Sequence, residues 1–250
     1  MPFSRSPTRD PRTVARDIPG VLDILFPRLT GGLVNALNAK MFSFSGISAI
    51  PAEMIDKSQL QNAMLFELSM ARAESELRDK QVASWEECLT LASKRQRRHF
   101  DARIPEKLEQ SDVLVADHAS RNLVAMLQSV QAQQSSAVLE HAPLIPGLGW
   151  IASGNGDFAI GSTLIEVKHI ERNFGAGDFR QVLMYWLLRY ARTIESDAAI
   201  WSDVLLLNPR RNAALLINFD QLLQAASASS NRVELLELLR FAVGQEFDRR

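Results

Sequence analysis

The chain has 250 residues, enough to bury a sizeable core, and fits one domain or one domain with a helical addition. Its content of 46% hydrophobic and 23% charged residues is that of an ordinary globular protein. The net charge of -1 excludes a general attraction for polyanions, so a nucleic-acid site would have to be a local basic patch.

Cysteine content and hydropathy exclude further classes. Cys88 is the single cysteine, which rules out disulfides within the chain, cysteine zinc sites and an iron–sulfur cluster bound by this chain alone. No apolar run approaches the ~20 residues of a membrane-spanning helix, and the first residues lack a secretory hydrophobic region. We therefore expect a cytoplasmic protein with no membrane partner.

The first half of the chain predicts helices. Residues 1–17 are rich in arginine and proline, which predicts a mobile basic arm that is either a frayed terminus or a contact to nucleic acid. Residues 18–107 form a mainly helical region of unknown role, with short helices up to residue 50. A longer helix is predicted over residues 58–80, with Ser58 as its N-cap.

A second long helix is predicted to begin at Ser84, where Ser84 and Glu87 fit a capping box. It ends in the basic run at residues 94–98. Cations are favoured near a helix C-terminus by the macrodipole, which is one explanation of this run. The other is a ridge that contacts phosphate groups. The sequence leaves both open.

The second half predicts the order helix, three strands, helix, two strands, helix. A helix over residues 111–134 precedes a first strand at residues 137–139 and a loop at residues 143–149. A β-hairpin follows, and then a helix that Asp178 is predicted to cap. Further strands are predicted at residues 200–207 and 213–219, and a final helix at residues 231–243.

The hairpin brings charged residues together. Apolar runs at residues 158–160 and 164–167 flank a Gly161-Ser162 turn signal. In this pairing Asp157 lies opposite Glu166, although like charges at that separation are destabilising. A divalent cation would turn the repulsion into coordination, with oxygen ligands suited to Mg²⁺ or Mn²⁺.

Side-chain alternation adds a third group, because Glu166 and Lys168 project from the same face of their strand. The alternative is a solvated hairpin face with a chance Glu–Lys pair, since such spacing is common.

These residues together resemble the PD-(D/E)xK nuclease superfamily. The matching residues are Gly156-Asp157, then Glu166-Val167-Lys168 on the next strand, then Gln181-Val182-Leu183-Met184-Tyr185 on the following helix. The last element is similar to the Q-x-x-x-Y signature of RecB-type exonucleases. The resemblance covers about residues 108–220, within a nuclease-like domain over residues 108–250. Gly156 stands where the family has its proline, and no G-x-x-x-x-G-K-[ST] motor motif is present.

The resemblance implies a restriction-endonuclease-like α/β fold, with a mixed central sheet flanked by helices in αβββαβ order. It also implies that Asp157 and Glu166 bind Mg²⁺ or Mn²⁺ together with the main-chain carbonyl of Val167. Asp117 or Glu140 is the candidate for an additional acidic ligand.

The catalytic residues that the resemblance implies are Asp157, Glu166, Lys168, Gln181 and Tyr185. Lys168 would activate or orient the attacking water, and Gln181 and Tyr185 share one helix face beside it. Each of these two also has a structural explanation. Gln181 could close a capping box with Asp178, and Tyr185 could be a core aromatic residue.

The implied function is a divalent-metal-dependent nuclease acting on DNA, with RNA left open, in restriction, mobile-element defence or repair. The partners implied are a helicase or another subunit of a complex, and a second copy of the chain. The side chains expected to contact nucleic acid are Lys94, Arg95, Arg97, Arg98, Arg172 and Arg180. The alternative function is a non-catalytic module of the same fold that binds DNA or a partner.

Overall fold

The computed structural model describes residues 9–17, 21–79, 81–97, 103–134, 137–196, 199–229 and 231–248. The described part is an α/β protein, in which a helical N-terminal region precedes a mixed five-stranded sheet with interspersed helices. The fold class expected from the sequence is confirmed. No helix among the described residues is long and apolar enough to cross a membrane.

The N-terminal region consists of helices of very different length. They are α1 (Pro11–Asp17), α2 (Val21–Leu25), α3 (Gly31–Asn38), α4 (Ala52–Ile55), α5 (Asn62–Asp79), α6 (Trp85–Gln96) and α7 (Gln110–Gln133). The longest of them, α5, α6 and α7, pack against one another. The predicted capping box of α6 is confirmed, with the hydroxyl of Ser84 accepting from the amide of Glu87 at 3.2 Å.

The sheet follows the predicted order of elements. Its strands are β1 (Leu139–His141), β4 (Phe158–Ile160), β5 (Thr163–Val167), β6 (Asp203–Asn208) and β7 (Ala213–Asn218), in the spatial order β1-β4-β5-β6-β7. Helix α8 (Ala176–Glu195) connects β5 to β6, which run parallel, and the other pairs are antiparallel. Helices α9 (Phe219–Ala226) and α10 (Arg232–Asp248) end the described chain.

The β4–β5 hairpin has the predicted register. Phe158 pairs with Ile165 and Ile160 pairs with Thr163, so the turn is formed by Gly161 and Ser162. Gly161 has a φ of 55°, a conformation that glycine adopts without steric cost. The sequence pattern therefore determines which side chains of this hairpin face each other.

Helices cover both faces of the sheet. Leu164, Val204 and Leu206 share a core with α8 and with buried residues of α1, α2, α9 and α10. Phe158 and Ile165 belong to a second core, formed with α5 and α7. Because successive side chains of a strand point to opposite faces, β5 contributes apolar residues to both cores. Glu166, two residues after Leu164, therefore lies on the α8 side.

The structure differs from the mobile arm expected over residues 1–17. Residues 1–8 lie outside the described part, but α1 is a helix whose Val14 and Ala15 are buried in the core against α8. Asp10 caps this helix by accepting the amide N–H of its third residue at 3.0 Å. The proline at the first helical position also favours a helix start. The mobile arm was predicted from the overall composition of residues 1–17, which does not show these two local signals.

Two predicted helix starts were wrong by a few residues. Helix α5 begins at Asn62, while Ser58 donates instead to Asp112 of α7 at 2.6 Å. Helix α8 begins at Ala176 rather than after Asp178. In both cases a polar side chain near the helix start makes a different hydrogen bond from the one that its position suggested.

Short elements were not predicted. Strands β2 (Leu144–Ile145) and β3 (Gly154–Asn155) form a small separate sheet, and α4 and α9 fall where no helix was expected. The first strand begins at Leu139, two residues after its predicted start. Elements of two to eight residues carry too few periodic positions to be recognised from hydrophobicity alone.

Asp112 joins α7 to the segment before α5. Its side chain is buried and accepts from the Ser58 hydroxyl at 2.6 Å, the Gln59 amide at 3.2 Å and the Glu109 amide at 3.1 Å. The change Asp112→Ala leaves all three donors without this acceptor. We expect it to lower the free energy of unfolding, measured in urea, by about 2 kcal/mol.

The matched control is Asp117→Ala on the same helix, where the partly exposed carboxylate pairs with Arg121. Its free energy of unfolding should change by at most about 0.5 kcal/mol. Equal losses in the two variants would contradict a tethering role for Asp112.

Candidate active site

Asp157 and Glu166 lie on the same side of the β4–β5 hairpin. Asp157 immediately precedes β4, and its Oδ2 accepts from the backbone amide of Val167 at 2.8 Å. This bond continues the hairpin beyond its last ladder pair, between Phe158 and Ile165. The predicted approach of the two carboxylates is therefore present.

Lys168 completes the predicted arrangement. Its Nζ donates to Glu166 Oε1 at 2.9 Å, and the two side chains are 6% and 0% exposed. The backbone amide of Lys168 donates to Leu207 O at 2.7 Å, which extends the β5–β6 pairing by one step. The main chain thus fixes where the lysine leaves the strand. The pair is a buried ion pair and not a solvated one.

Helix α8 supplies the next contacts. Gln181 Oε1 accepts from Lys168 Nζ at 2.9 Å, and Gln181 Nε2 donates to Glu166 Oε1 and to Tyr185 Oη, the latter at 2.9 Å. The capping explanation of Gln181 is wrong, because its amide is fully engaged in this network. Tyr185 is a buried aromatic residue, as its structural explanation requires, and its hydroxyl is also a member of the network. A catalytic role for Tyr185 stays a prediction.

Asp178 organises the start of α8. Its Oδ2 accepts from the Gly175 amide at 2.8 Å, which caps the helix from its third position. The same carboxylate lies 3.1 Å from Arg172, 3.5 Å from Arg16 and 3.9 Å from Lys168. Asp178 therefore joins three cations to the helix that carries Gln181, a role that the sequence did not indicate.

Arg12 of α1 is a second cation beside the carboxylate pair, in addition to Lys168. Its Nη2 lies 3.6 Å from Asp157 Oδ1 and 3.6 Å from Glu166 Oε1. It also interacts with the hydroxyl of Tyr185. A residue of the supposed arm thus contacts both predicted metal ligands.

The surroundings change the acidity of the two carboxyl groups in opposite directions. Burial and the neighbouring charge of Glu166 raise the pKa of Asp157 well above its usual range. Burial alone would also raise the pKa of Glu166, but Lys168 and Arg12 outweigh it and lower that pKa. Glu166 is therefore the permanent negative charge of the site. Burial raises the pKa of Tyr185, so its hydroxyl stays protonated.

A cavity of about 470 Å³ opens beside this cluster. Glu166, Val167 and Lys168 line one side, and Arg12 and Arg16 line it as well. The residues after β5 add His169 and Ile170, and the N-terminal region supplies the rest of the wall from α5, the end of α6 and the residue before α5: Gln61, Asn62, Ala63, Phe66, Glu67 and Gln96. The helical region of unknown role thus forms part of the cavity that holds the catalytic candidates.

The donor set fits a hard divalent cation. Glu166 Oε2 is buried without a hydrogen-bond partner among the described residues, which leaves an anionic oxygen available. Asp157 lies beside it, and Val167 lines the cavity. Magnesium is commonly bound by one or two carboxylates and several waters, so this set is sufficient.

The additional acidic ligand expected from Asp117 or Glu140 is not found. The described residues contain no group of three His, Cys, Asp or Glu side chains that could hold a metal. Asp117 pairs with Arg121 on α7, and Glu140 is exposed on β1. Metal binding by either residue stays a prediction.

The basic residues expected to contact nucleic acid occupy several places. Lys94 and Arg97 are exposed at the end of α6, whereas Arg95 pairs with Glu74 at 2.6 Å. Arg98 lies outside the described residues. Arg172 joins the Asp178 network, and Arg180 pairs with Asp23. Contact of these side chains with nucleic acid stays a prediction.

His169 is a further residue of the cavity that the sequence analysis overlooked. Its ring is buried, and within the described residues neither nitrogen has a hydrogen-bond partner. Burial and the charge of Arg210 lower its pKa to about 4, so it is neutral at physiological pH. The four-residue spacing of Arg12 and Arg16 was a usable signal for a shared helix face, whereas His169 gave none.

Comparisons with known proteins returned no match. No protein-family model, no curated protein and no solved structure matches this chain. A function for the site has to be argued from its own geometry and chemistry.

The buried ion pair allows a test that does not depend on function. The changes Glu166→Gln and Lys168→Met each leave one charge buried without its partner. We expect each to lower the free energy of unfolding in the presence of EDTA by about 3 kcal/mol. The double variant should lose less than the sum of the two, with a coupling of at least about 1 kcal/mol from urea denaturation.

The control cycle uses Lys107 and Glu109, an exposed pair at 3.0 Å. Its coupling should stay below about 0.5 kcal/mol. Additive effects at Glu166 and Lys168 would show that their contact contributes nothing to folding.

Proposed function

We propose that the protein is a divalent-metal-dependent nuclease of the PD-(D/E)xK type, which hydrolyses phosphodiester bonds in DNA. One observation carries the proposal: two carboxylates and a lysine meet on one side of a hairpin, and Glu166 and Lys168 of this group line an open cavity. The contacts that Gln181 makes to both Glu166 and Lys168 support it. A group of charges this well fixed and this deeply buried is unusual unless it does chemistry.

Phosphodiester hydrolysis requires an attack on a group that is already negatively charged. A bound divalent cation lowers the pKa of water and polarises a phosphoryl oxygen. The residues that would hold it are Asp157 and Glu166, with the main-chain carbonyl of Val167. Their fixed oxygens favour hard ions such as Mg²⁺ and Mn²⁺.

Lys168 is positioned to act on the attacking water or on the phosphate. Its ammonium group has three donors, of which Glu166 and Gln181 accept two. One donor is left for a water molecule or for a phosphoryl oxygen that gains charge in the transition state. The lysine cannot swing away, because both partners are buried and fixed in turn.

Gln181 sets the direction of these donors. Lys168 can only donate and the Glu166 carboxylate can only accept, so Gln181 turns its Oε1 toward Lys168 and its Nε2 toward Glu166, and the same Nε2 donates to Tyr185 Oη. The Tyr185 hydroxyl accepts that bond and retains its own O–H as a donor. The pair therefore acts by orienting Lys168 and Glu166 within the cluster.

Cleavage of nucleic acid is the direct test. Plasmid, linear duplex and single-stranded DNA, and RNA, are incubated with the protein and Mg²⁺ or Mn²⁺. We expect cleavage of DNA that Asp157→Ala and Lys168→Ala each reduce by about 10²-fold or more, because the first change removes a metal ligand and the second removes a cation that stabilises transition-state charge. Gel analysis of initial rates measures the effect.

Glu53→Ala is the control for this assay, since this exposed carboxylate of α4 does not line the cavity. It should cleave at the wild-type rate. Cleavage that survives both Asp157→Ala and Lys168→Ala would come from a contaminant or from another site, and it would remove the proposal.

A non-catalytic module that binds DNA or a partner is the second candidate. One observation favours it: the Arg12 guanidinium already lies 3.6 Å from both carboxylates, where it can neutralise them without a metal. A protein that had lost catalysis could keep its fold through such a contact.

Manganese binding separates the two candidates. If the protein is the proposed nuclease, calorimetric titration with Mn²⁺ should show a binding site for this ion. Asp157→Asn and Glu166→Gln should each weaken the Mn²⁺ affinity of that site by about tenfold or more, because each removes an anionic ligand. If the protein is a non-catalytic binding module, no manganese site should depend on Asp157 and Glu166. Glu53→Gln on α4 is the charge-matched control and should bind as the wild type does.

A further inference from the structure

We propose that Arg12 has two successive roles in this site. Its guanidinium neutralises Asp157 and Glu166 until a divalent metal binds, and it then moves away to contact a phosphate group of the nucleic-acid substrate. The inference rests on the proposed nuclease function and assigns a substrate contact to a residue outside the catalytic motif.

The first role follows from the geometry of the carboxylate pair. Arg12 Nη2 is equidistant, at 3.6 Å, from one oxygen of Asp157 and one of Glu166. A cation bound by the same two side chains would lie next to the guanidinium. Two positive charges at such a separation in a partly buried site repel strongly, so the metal and this position of Arg12 exclude each other.

The second role follows from how α1 is held. Val14 and Ala15 are buried against α8, so the helix itself is anchored. Arg9 adds two backbone bonds to the loop before β3, from its amide to Trp150 O at 3.2 Å and from the Ala152 amide to its carbonyl at 2.9 Å. The main chain around Arg12 is therefore fixed, and the proposed movement is confined to its side chain. It is 39% exposed and lines the cavity, so it has room to turn without leaving the site.

Charge balance indicates what Arg12 meets there. With both carboxyl groups ionised, Asp157 and Glu166 carry two negative charges, and Arg12 and Lys168 carry two positive charges. A divalent cation adds two positive charges to this group, which then favours an anion. A phosphodiester is an anion of this kind, and the planar guanidinium can bind two of its oxygens at once.

The first measurement is manganese affinity without nucleic acid. In calorimetric titrations Arg12→Gln should bind Mn²⁺ about tenfold tighter than the wild type, because a competing cation is gone. Arg12→Lys keeps the charge and should stay close to the wild type. Arg16→Gln, on the same helix but paired with Asp178, should change the affinity much less. Thermal unfolding checks that all variants are folded.

The second measurement is nucleic-acid affinity. Anisotropy of a labelled single-stranded oligonucleotide in Ca²⁺ should show binding that Arg12→Gln weakens by about tenfold, because a phosphate contact is lost. Arg240→Gln, an exposed arginine of α10, controls for the change in net charge and should weaken binding less. For Arg12→Gln we therefore expect a higher affinity for manganese and a lower affinity for the oligonucleotide.

Opposite effects support the proposal, and every other pattern overturns it. Unchanged or weaker manganese binding in Arg12→Gln excludes the first role. Tighter manganese binding with unchanged oligonucleotide binding excludes the second. Loss of both indicates that Arg12 only maintains the structure. If the wild type binds no manganese through Asp157, the proposed nuclease function fails, which is a different result from a manganese site that ignores Arg12.

Discussion

The repulsion between Asp157 and Glu166 accounts for most of what surrounds them. The hairpin register forces the two carboxyl groups together, and burial removes the water that would otherwise separate their charges. Lys168 and Arg12 supply the compensating charge, and the amide of Gln181 satisfies the remaining acceptor on Glu166 Oε1. Arg12 and Gln181 lie on helices outside the hairpin. The need to compensate two buried carboxylates therefore determines which helices, distant in the sequence, must pack beside the hairpin.

The N-terminal region has a role that follows from this requirement. Helix α1 brings Arg12 to the carboxylates, while α5 and the end of α6 close the cavity from the opposite side with Phe66 and Gln96. The sheet and α8 alone would leave Glu166 open to solvent on this side. Residues before α7 are therefore part of the site, although they lie outside the region that resembles a nuclease domain.

Sequence patterns predicted the parts of the site that depend on local geometry. The positions of Asp157, Glu166 and Lys168 follow from strand alternation and a two-residue turn, both of which have fixed periods. Arg12 could not be placed in this way, because its contact depends on how α1 packs against α8, far away in the sequence. The same limit applies to Asp117, because a helix pattern gives the face of a residue but not the element that this face meets.

The net charge of -1 bears on how nucleic acid could be bound at this site. A protein with so little overall charge does not attract nucleic acid from a distance, so under the proposed nuclease function its affinity would have to arise where the phosphate is held. Without a metal, the carboxylates cancel the charges of Arg12 and Lys168, and the cavity offers a phosphate little attraction. A divalent cation bound by the carboxylates would neutralise them in place of Arg12 and Lys168. The charges of these two side chains would then be available to a phosphate. In this arrangement the metal that supports hydrolysis would also create the substrate site, so binding of nucleic acid and readiness for chemistry would arise together.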